Sequence, residues 1–456
     1  MPVLKNPNIV FVFADQMRAQ ATGYEGDPNV QTPCLDNLAG ESLNFTNAIS
    51  NCPVCTPYRA CLLTGQYPLT HGLFMNDLCL PDNGHSLGQE LRRGGYATGW
   101  IGKWHLDGHG RRNPVPADRR QGFDFWKALE CTHNYEHSQY YDGDDPTPRF
   151  WDGYDAYSQT DEAVRFIRSR ATSDRPFALF LSFGSPHDPY DTAPDDLREL
   201  YSEADLVLRD NVPPHRERRA RKQLTGYYAH ITAIDRCMAR LNRVLDETGC
   251  RENTILVFTS DHGDMLESHW HVNDGQRGVR KQVPYDESVR VPLLVRYPER
   301  YGTEGRKVPE PVATPDLMPT LLAMCGLPSP DTVEGVDLTP VIDGEAAPGR
   351  EGVLIAGYHP FSDWRVQRGG RPYRGIRTRR CTFVRDRNGP WLLFDNDADP
   401  FQQTNLVNTS SAAAMQERLD SELHRILSAQ HDGFEAPEDL RERWGYQVDD
   451  LGQIPF

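Results

Sequence analysis

Cys55 is followed by a proline two residues on and an arginine four residues on, in the run Cys55-Thr56-Pro57-Tyr58-Arg59-Ala60-Cys61-Leu62-Leu63-Thr64-Gly65. A cysteine can serve as nucleophile, metal ligand or redox partner, and Cys52-Pro53-Val54-Cys55 is also a C-x-x-C pair. No second C-x-x-C and no C-x-x-C-H completes a metal set. A buried structural thiol is the ordinary alternative. Elsewhere, residues fit for metal or proton chemistry gather in four places: Asp15-Gln16, Lys103-Trp104-His105, Pro186-His187 and Asp261-His262.

Each of those places ends a short apolar run. The runs are Ile9 to Phe13, Tyr96 to Ile101, Phe177 to Phe183 and Thr254 to Phe258. Such runs predict strands buried on both faces, as in a parallel sheet covered by helices. Ligands bind beyond the carboxyl ends of such strands, so the four endings are expected on one rim. Asp15 and Asp261 would repel each other there unless a cation lay between them.

Helical patterns alternate with the runs. Thr32-Pro33 and Thr314-Pro315 each read as an N-cap and a first-turn proline, the second opening a helix from Asp316 to Cys325 that Gly326 closes. The longest helical stripe spans about Arg218 to Thr248 and stops at Gly249. Pro57 suits the first turn of a helix whose free N–H groups face an anion, and Arg59 lies one turn after Cys55 on the same side.

The Cys55 run resembles the signature of the sulfatase family, in which that cysteine is oxidised to formylglycine. Gly102-Lys103-Trp104-His105, Ser185-Pro186-His187 and the Arg280-to-Pro292 stretch around Lys281 resemble further family segments. The resemblance implies an α/β fold of the alkaline phosphatase superfamily: a large mixed, mostly parallel sheet sandwiched by helices, with a smaller C-terminal α+β subdomain. It implies hydrolysis of a sulfate monoester of a sugar or aryl group. The hydrated aldehyde is a gem-diol, offering one hydroxyl to attack sulfur and a second to break the covalent ester.

Residue by residue, the same resemblance implies a divalent metal held by Asp15, Gln16, Asp261 and His262 around residue 55. Lys103 and Lys281 would hold the sulfate oxygens, and Arg59 would orient the hydrated aldehyde. His187, assisted by Lys281, would protonate the leaving alkoxide, and His105 would deprotonate the second hydroxyl. The chain departs from the commonest family pattern, which has an aspartate where Gln16 stands and often an asparagine where His262 stands. Calcium is the expected metal; the imidazole brings manganese into play, and magnesium is a further alternative. Two readings compete: a formylglycine-dependent phosphonate monoester or phosphodiester hydrolase of the same superfamily, and a non-catalytic anion-binding protein in which Cys55 stays a thiol.

The chain has 456 residues, with Asp and Glu at 65 against Lys and Arg at 49 and a net charge of -16. That balance disfavours nucleic acid or an anionic membrane as partner. No apolar run reaches the roughly 18 residues of a membrane span. No export signal precedes the first apolar run, and 10 cysteines without framework spacing suit a reducing compartment. A cytoplasmic protein is expected, or a periplasmic one if a signal has been trimmed. The expected partners are a small sulfated substrate and a formylglycine-generating maturation enzyme, and a homo-oligomer is compatible with the sequence.

Composition divides the chain into a catalytic domain over 1–350 and a C-terminal α+β subdomain over 351–456, joined through Gly344 to Gly352. Two further features invite use. The stretch from His133 to Tyr157 gathers aromatics that read as the packing of a long loop or as a stacking surface for a sugar or aryl group. Arg365, Arg368, Arg371, Arg374, Arg377, Arg379 and Arg380 read as a solvated basic face, with Arg374 or Arg377 placed to reach a second substrate anion.

Overall fold

The structure, a computed structural model, describes residues 6–269, 278–345 and 349–455. All four apolar runs form adjacent strands, Thr254–Ser260, Asn8–Asp15, Phe177–Pro186 and Ala97–Lys103, in that order and all parallel. They form the centre of a mixed sheet of ten strands among the described residues. On one side Leu293–Arg296, Leu43–Phe45 and Arg306–Val308 extend it; on the other, Phe125–Leu129, Gln139–Asp142 and Asp145–Phe150 do so. Register aligns the strand ends: Asp15 pairs with Pro186, Ala14 with Ser260 and Gly102 with Ser182.

Alternation along the Asn8–Asp15 strand shows why the run is apolar throughout. Val10, Val12 and Ala14 pack into a core with Tyr227, Ile231 and Ile234 of the Glu217–Glu247 helix. Ile9, Phe11 and Phe13 face the other way, into a core with Leu62 and Leu63 of the Cys55–Thr64 helix and Met318 of the Leu317–Met324 helix. Both faces are therefore covered, as a parallel sheet requires. This is the alkaline-phosphatase-like fold. Thr32 does sit at the N-cap of the Pro33–Ala39 helix, but its hydroxyl is diverted: it donates to Asp36 at 3.0 Å and accepts from the Gly23 N–H at 2.8 Å.

Near the C-terminus, Gly352–Gly357, Tyr373–Thr378, Cys381–Asp386 and Gly389–Asp395 form a four-stranded antiparallel sheet. The Ala413–Ala429 helix covers it with Leu419, Leu423 and Leu427. Residues 346–348 of the expected joining stretch lie outside the described residues.

Two expectations need correcting. The His133-to-Tyr157 stretch is no long loop: it forms the Gln139–Asp142 and Asp145–Phe150 hairpin on the sheet edge. Its aromatics spend their faces on one another, Tyr140 stacking on Trp151 at 3.9 Å and His137 on Phe150 at 4.1 Å. Nor is the arginine cluster a single solvated face. Arg374 is wholly buried against Asp432, and Arg377 donates to both oxygens of Asp286 at 3.0 Å, so neither is free for a substrate anion. Their acidic partners lie 58 and 91 residues away, beyond any local pattern. No helix among the described residues is long and apolar enough to cross a membrane.

Candidate active site

Asp15 closes its strand and Asp261 follows the next, and both are wholly buried. Arg59 bridges them, with Nη2 3.4 Å from Asp15 Oδ2 and 3.3 Å from Asp261 Oδ2. Its Nη1 donates to the Lys103 carbonyl at 2.9 Å and to Ser182 Oγ at 2.7 Å, so the guanidinium ties all four central strands together. Arg59 thus reaches Cys55 through the carboxylates. Lys103 Nζ donates to Asp15 Oδ2 at 2.5 Å. Burial opposes a charge on Asp15, but Lys103, Lys281 and Arg59 outweigh it and hold the carboxyl well below its usual range. Asp261 goes the other way, pushed up to about 6 by burial and by the neighbouring Asp15.

Cys55 opens the Cys55–Thr64 helix, and its Sγ lies 3.6 Å from Asp15 Oδ1 and 3.3 Å from His262 Nε2. Those three residues and Asp261 bring their ligand atoms within 4.8 Å of one another. His262 Nδ1 donates to the Gly263 carbonyl at 3.0 Å, which leaves Nε2 as the ring atom directed at the cluster. Gln16 sits at φ +71°, and its amide nitrogen donates to Asp264 Oδ2 at 2.7 Å while its buried Oε1 has no partner. Two carboxylates, an imidazole nitrogen and an orphaned amide oxygen are a donor set that fits a divalent cation.

Lys281 bridges the remaining groups. Its Nζ lies 3.3 Å from Cys55 Sγ, 3.2 Å from His187 Nε2 and 3.3 Å from His262 Nε2. His187 Nδ1 faces the Asp188 carbonyl at 2.8 Å, so Nε2 accepts from the Lys281 ammonium. Burial, Lys281 and the stacked His133 lower the proton affinity of His187, whereas Lys281, although buried, has its own raised by Cys55 and Asp15. The proton in this pair therefore resides on Lys281. Burial and Asp15 disfavour a thiolate at Cys55, but Lys103, Lys281 and His262 prevail and hold its thiol well below the ordinary value.

His105 stands at φ +59°, with Nε2 2.8 Å from Asp77 Oδ1 and a buried Nδ1 that has no partner. Burial opposes its protonation, but Cys131 and Asp77 raise it to about 9. Three supports of this imidazole carry no sequence signal. Asp77 is held by Arg111 through Nε at 3.0 Å and Nη2 at 2.8 Å. Glu130 accepts the N–H groups of Leu106, Asp107 and Gly108 at 2.9, 2.7 and 2.7 Å, fixing the chain after His105. Cys131, in the same wall, is drawn down to about 5 by Lys103, His105 and His133 despite its burial.

These groups line one cavity of about 270 Å³ that includes Gln16, Cys55, Lys103, His105, His187 and Lys281. Phe361, Ser362, Asp363 and Gln453 form part of its wall, a contribution of the C-terminal region that no motif announced. The residues assigned from the motifs thus gather here, Gln16, Cys55, Lys103, His105, His187 and Lys281 lining the cavity and Asp15, Arg59, Asp261 and His262 bonded around Cys55, whereas Arg374 and Arg377 are engaged elsewhere. Cys52 does not take part: it is an isolated buried thiol, pushed up to about 12.

Comparison with known proteins gives the following. A model of the Sulfatase family matches residues 7–327, and one described as N-sulphoglucosamine sulphohydrolase, C-terminal, matches residues 276–429. The ulvan-active sulfatase of Formosa agariphila is 43% identical over 443 residues, 96% of this chain and 84% of that protein. An endo-4-O-sulfatase of Bacteroides thetaiotaomicron is 29% identical across 97% of this chain and 96% of its own length. A crystal structure of a putative sulfatase from Bacteroides fragilis superposes with a TM-score of 0.84 at 29% identity, covering 95% of this chain and 98% of the other.

Proposed function

The chain belongs to the sulfatase family and is a sulfuric ester hydrolase, and from that premise we propose that it cleaves a sulfate monoester of a sugar with a nucleophile matured from Cys55. The observation that carries the reading is the position of Cys55 Sγ, 3.3 Å from both Lys281 Nζ and His262 Nε2 at the base of the cavity. A sugar is supported by the relatives, one named for ulvan and another an endo-4-O-sulfatase.

Asp15, Gln16, Asp261 and His262 would hold a divalent cation, with calcium the leading choice, and that cation would neutralise charge on the sulfate group. The aldehyde at residue 55 would supply, as its hydrate, both the attacking hydroxyl and the one that later releases sulfate. Lys103 and Lys281 bind the anionic sulfate and stabilise charge as it builds. Lys281 Nζ, which carries the proton shared with His187, protonates the leaving oxygen, and His187 Nε2 holds that ammonium in place. His105, through its unpartnered Nδ1, takes the proton of the second hydroxyl while Asp77 holds Nε2.

A phosphonate monoester hydrolase would need the same nucleophile, but Lys103 and His105 favour the sulfate reading, because such enzymes generally lack that pair. Kinetics on fully modified protein decide between them. An aryl sulfate should show a higher kcat/KM than the matching aryl phosphonate monoester; the reverse order would overturn the assignment.

A further inference from the structure

A second cavity, of about 360 Å³, shares no lining residue with the catalytic one. Arg18 and Gln20 form its floor, and Glu25, Asp27, Arg209, Tyr228, Arg290 and Phe401 its walls. Arg18 is 2% exposed, yet its Nε has no hydrogen-bond partner, and among the described residues its guanidinium makes no ion pair. The other arginines among the largest fully buried side chains each have a close partner, although Arg59 Nε and Arg296 Nε and Nη2 are also unpartnered. Arg59 has Asp15 and Asp261, Arg374 has Asp432, and Arg296 donates to Asn242 Oδ1 at 2.9 Å. Burial opposes the Arg18 charge, while Tyr228, Tyr227, Asp27 and Glu287 support it without a close ion pair, and a planar oxyanion bound in bidentate fashion would supply that close partner.

The neighbours specify more than a bare anion. Gln20, 8% exposed, has a buried Oε1 with no partner, which requires a donor. Glu25 and Asp27 add acceptors, although Glu25 also takes Arg290 at 2.7 Å and Asp27 takes the Tyr228 hydroxyl at 2.8 Å. Phe401, under the Arg209 guanidinium at 4.9 Å, offers an apolar wall. Donors are what hydroxyl groups supply, and a multiply charged anion would meet Glu25 and Asp27. We propose that this cavity is a binding site for a hydroxylated monoanion, a sugar acid whose carboxylate pairs with Arg18 and whose hydroxyls donate to Gln20 and Asp27.

Isothermal titration of the whole protein with glucuronate tests this, with inorganic sulfate as the bare-anion probe. Arg18→Met should keep the thermal midpoint within a few degrees, since it removes a buried charge that makes no close ion pair, and should weaken glucuronate binding roughly 10- to 100-fold. Gln20→Leu, a milder change, should weaken it less, and Lys281→Ala should leave it intact because Lys281 lines only the catalytic cavity. No glucuronate binding to the wild type, binding indifferent to Arg18→Met and Gln20→Leu, or Arg18-dependent binding of sulfate alone would each overturn the proposal.

Discussion

At the scale of residues, the site works by opposing pulls on protons. Asp15 stays ionised because Lys103, Lys281 and Arg59 overcome burial, and Lys281 keeps the proton that His187 would otherwise share. The His105–Asp77 pair turns this into a pH prediction. With its proton affinity raised to about 9, His105 contributes stability that is fully present below pH 6.5 and is lost as pH rises through about 9. Asp77→Asn should therefore lower stability by about 1–3 kcal/mol in mildly acid buffer and less in alkaline buffer. With neutral His105 as the proposed base, the ascending limb of kcat against pH should move to lower pH in the same variant. Thermal melts and rate profiles across pH check both effects.

At the scale of elements, strand ends do the positioning, and little slack is allowed between them. Gly102 has φ +96°, and a Cβ there would lie 2.1 Å from the Ser182 carbonyl oxygen. Gly102→Ala should thus push the Ala97–Lys103 strand from its neighbour, lower stability by about 1–3 kcal/mol and raise KM through the displaced Lys103. Melting curves and steady-state kinetics measure the two effects. The four strands were legible because each is a continuous apolar run that ends in polar residues, and the register that brings those ends together follows from a parallel sheet. The Gln139–Phe150 hairpin was not legible. Its second strand carries Pro146 and Pro148 and is half-buried to exposed, so it lacks the alternation that marks a strand against a core.

At the scale of the whole molecule, the C-terminal region lines the same cavity as the proposed catalytic residues. It contributes Phe361, Ser362, Asp363 and Gln453 to the cavity wall, and Arg377 reaches Asp286, five residues after Lys281. Breaking such a buried pair from one side costs about 3–5 kcal/mol, so Arg377→Met should destabilise strongly, and adding Asp286→Asn should recover part of the loss. Denaturant melts of the single and double variants test that coupling. None of this could be read from sequence, since Arg377 sits among arginines that look like a basic face until their distant partners are placed. The catalytic residues were legible for the opposite reason: their chemistry is local, in short segments, and only their convergence required the fold.

The central claim is that residue 55 acts as an aldehyde at the base of this cluster. Mass spectrometry of the Cys55 peptide, from active protein matured in its native host and trapped with a hydrazide, tests it most directly. Formylglycine is expected at residue 55 in proportion to specific activity. Full sulfate-ester turnover from protein whose residue 55 remains a thiol would contradict it.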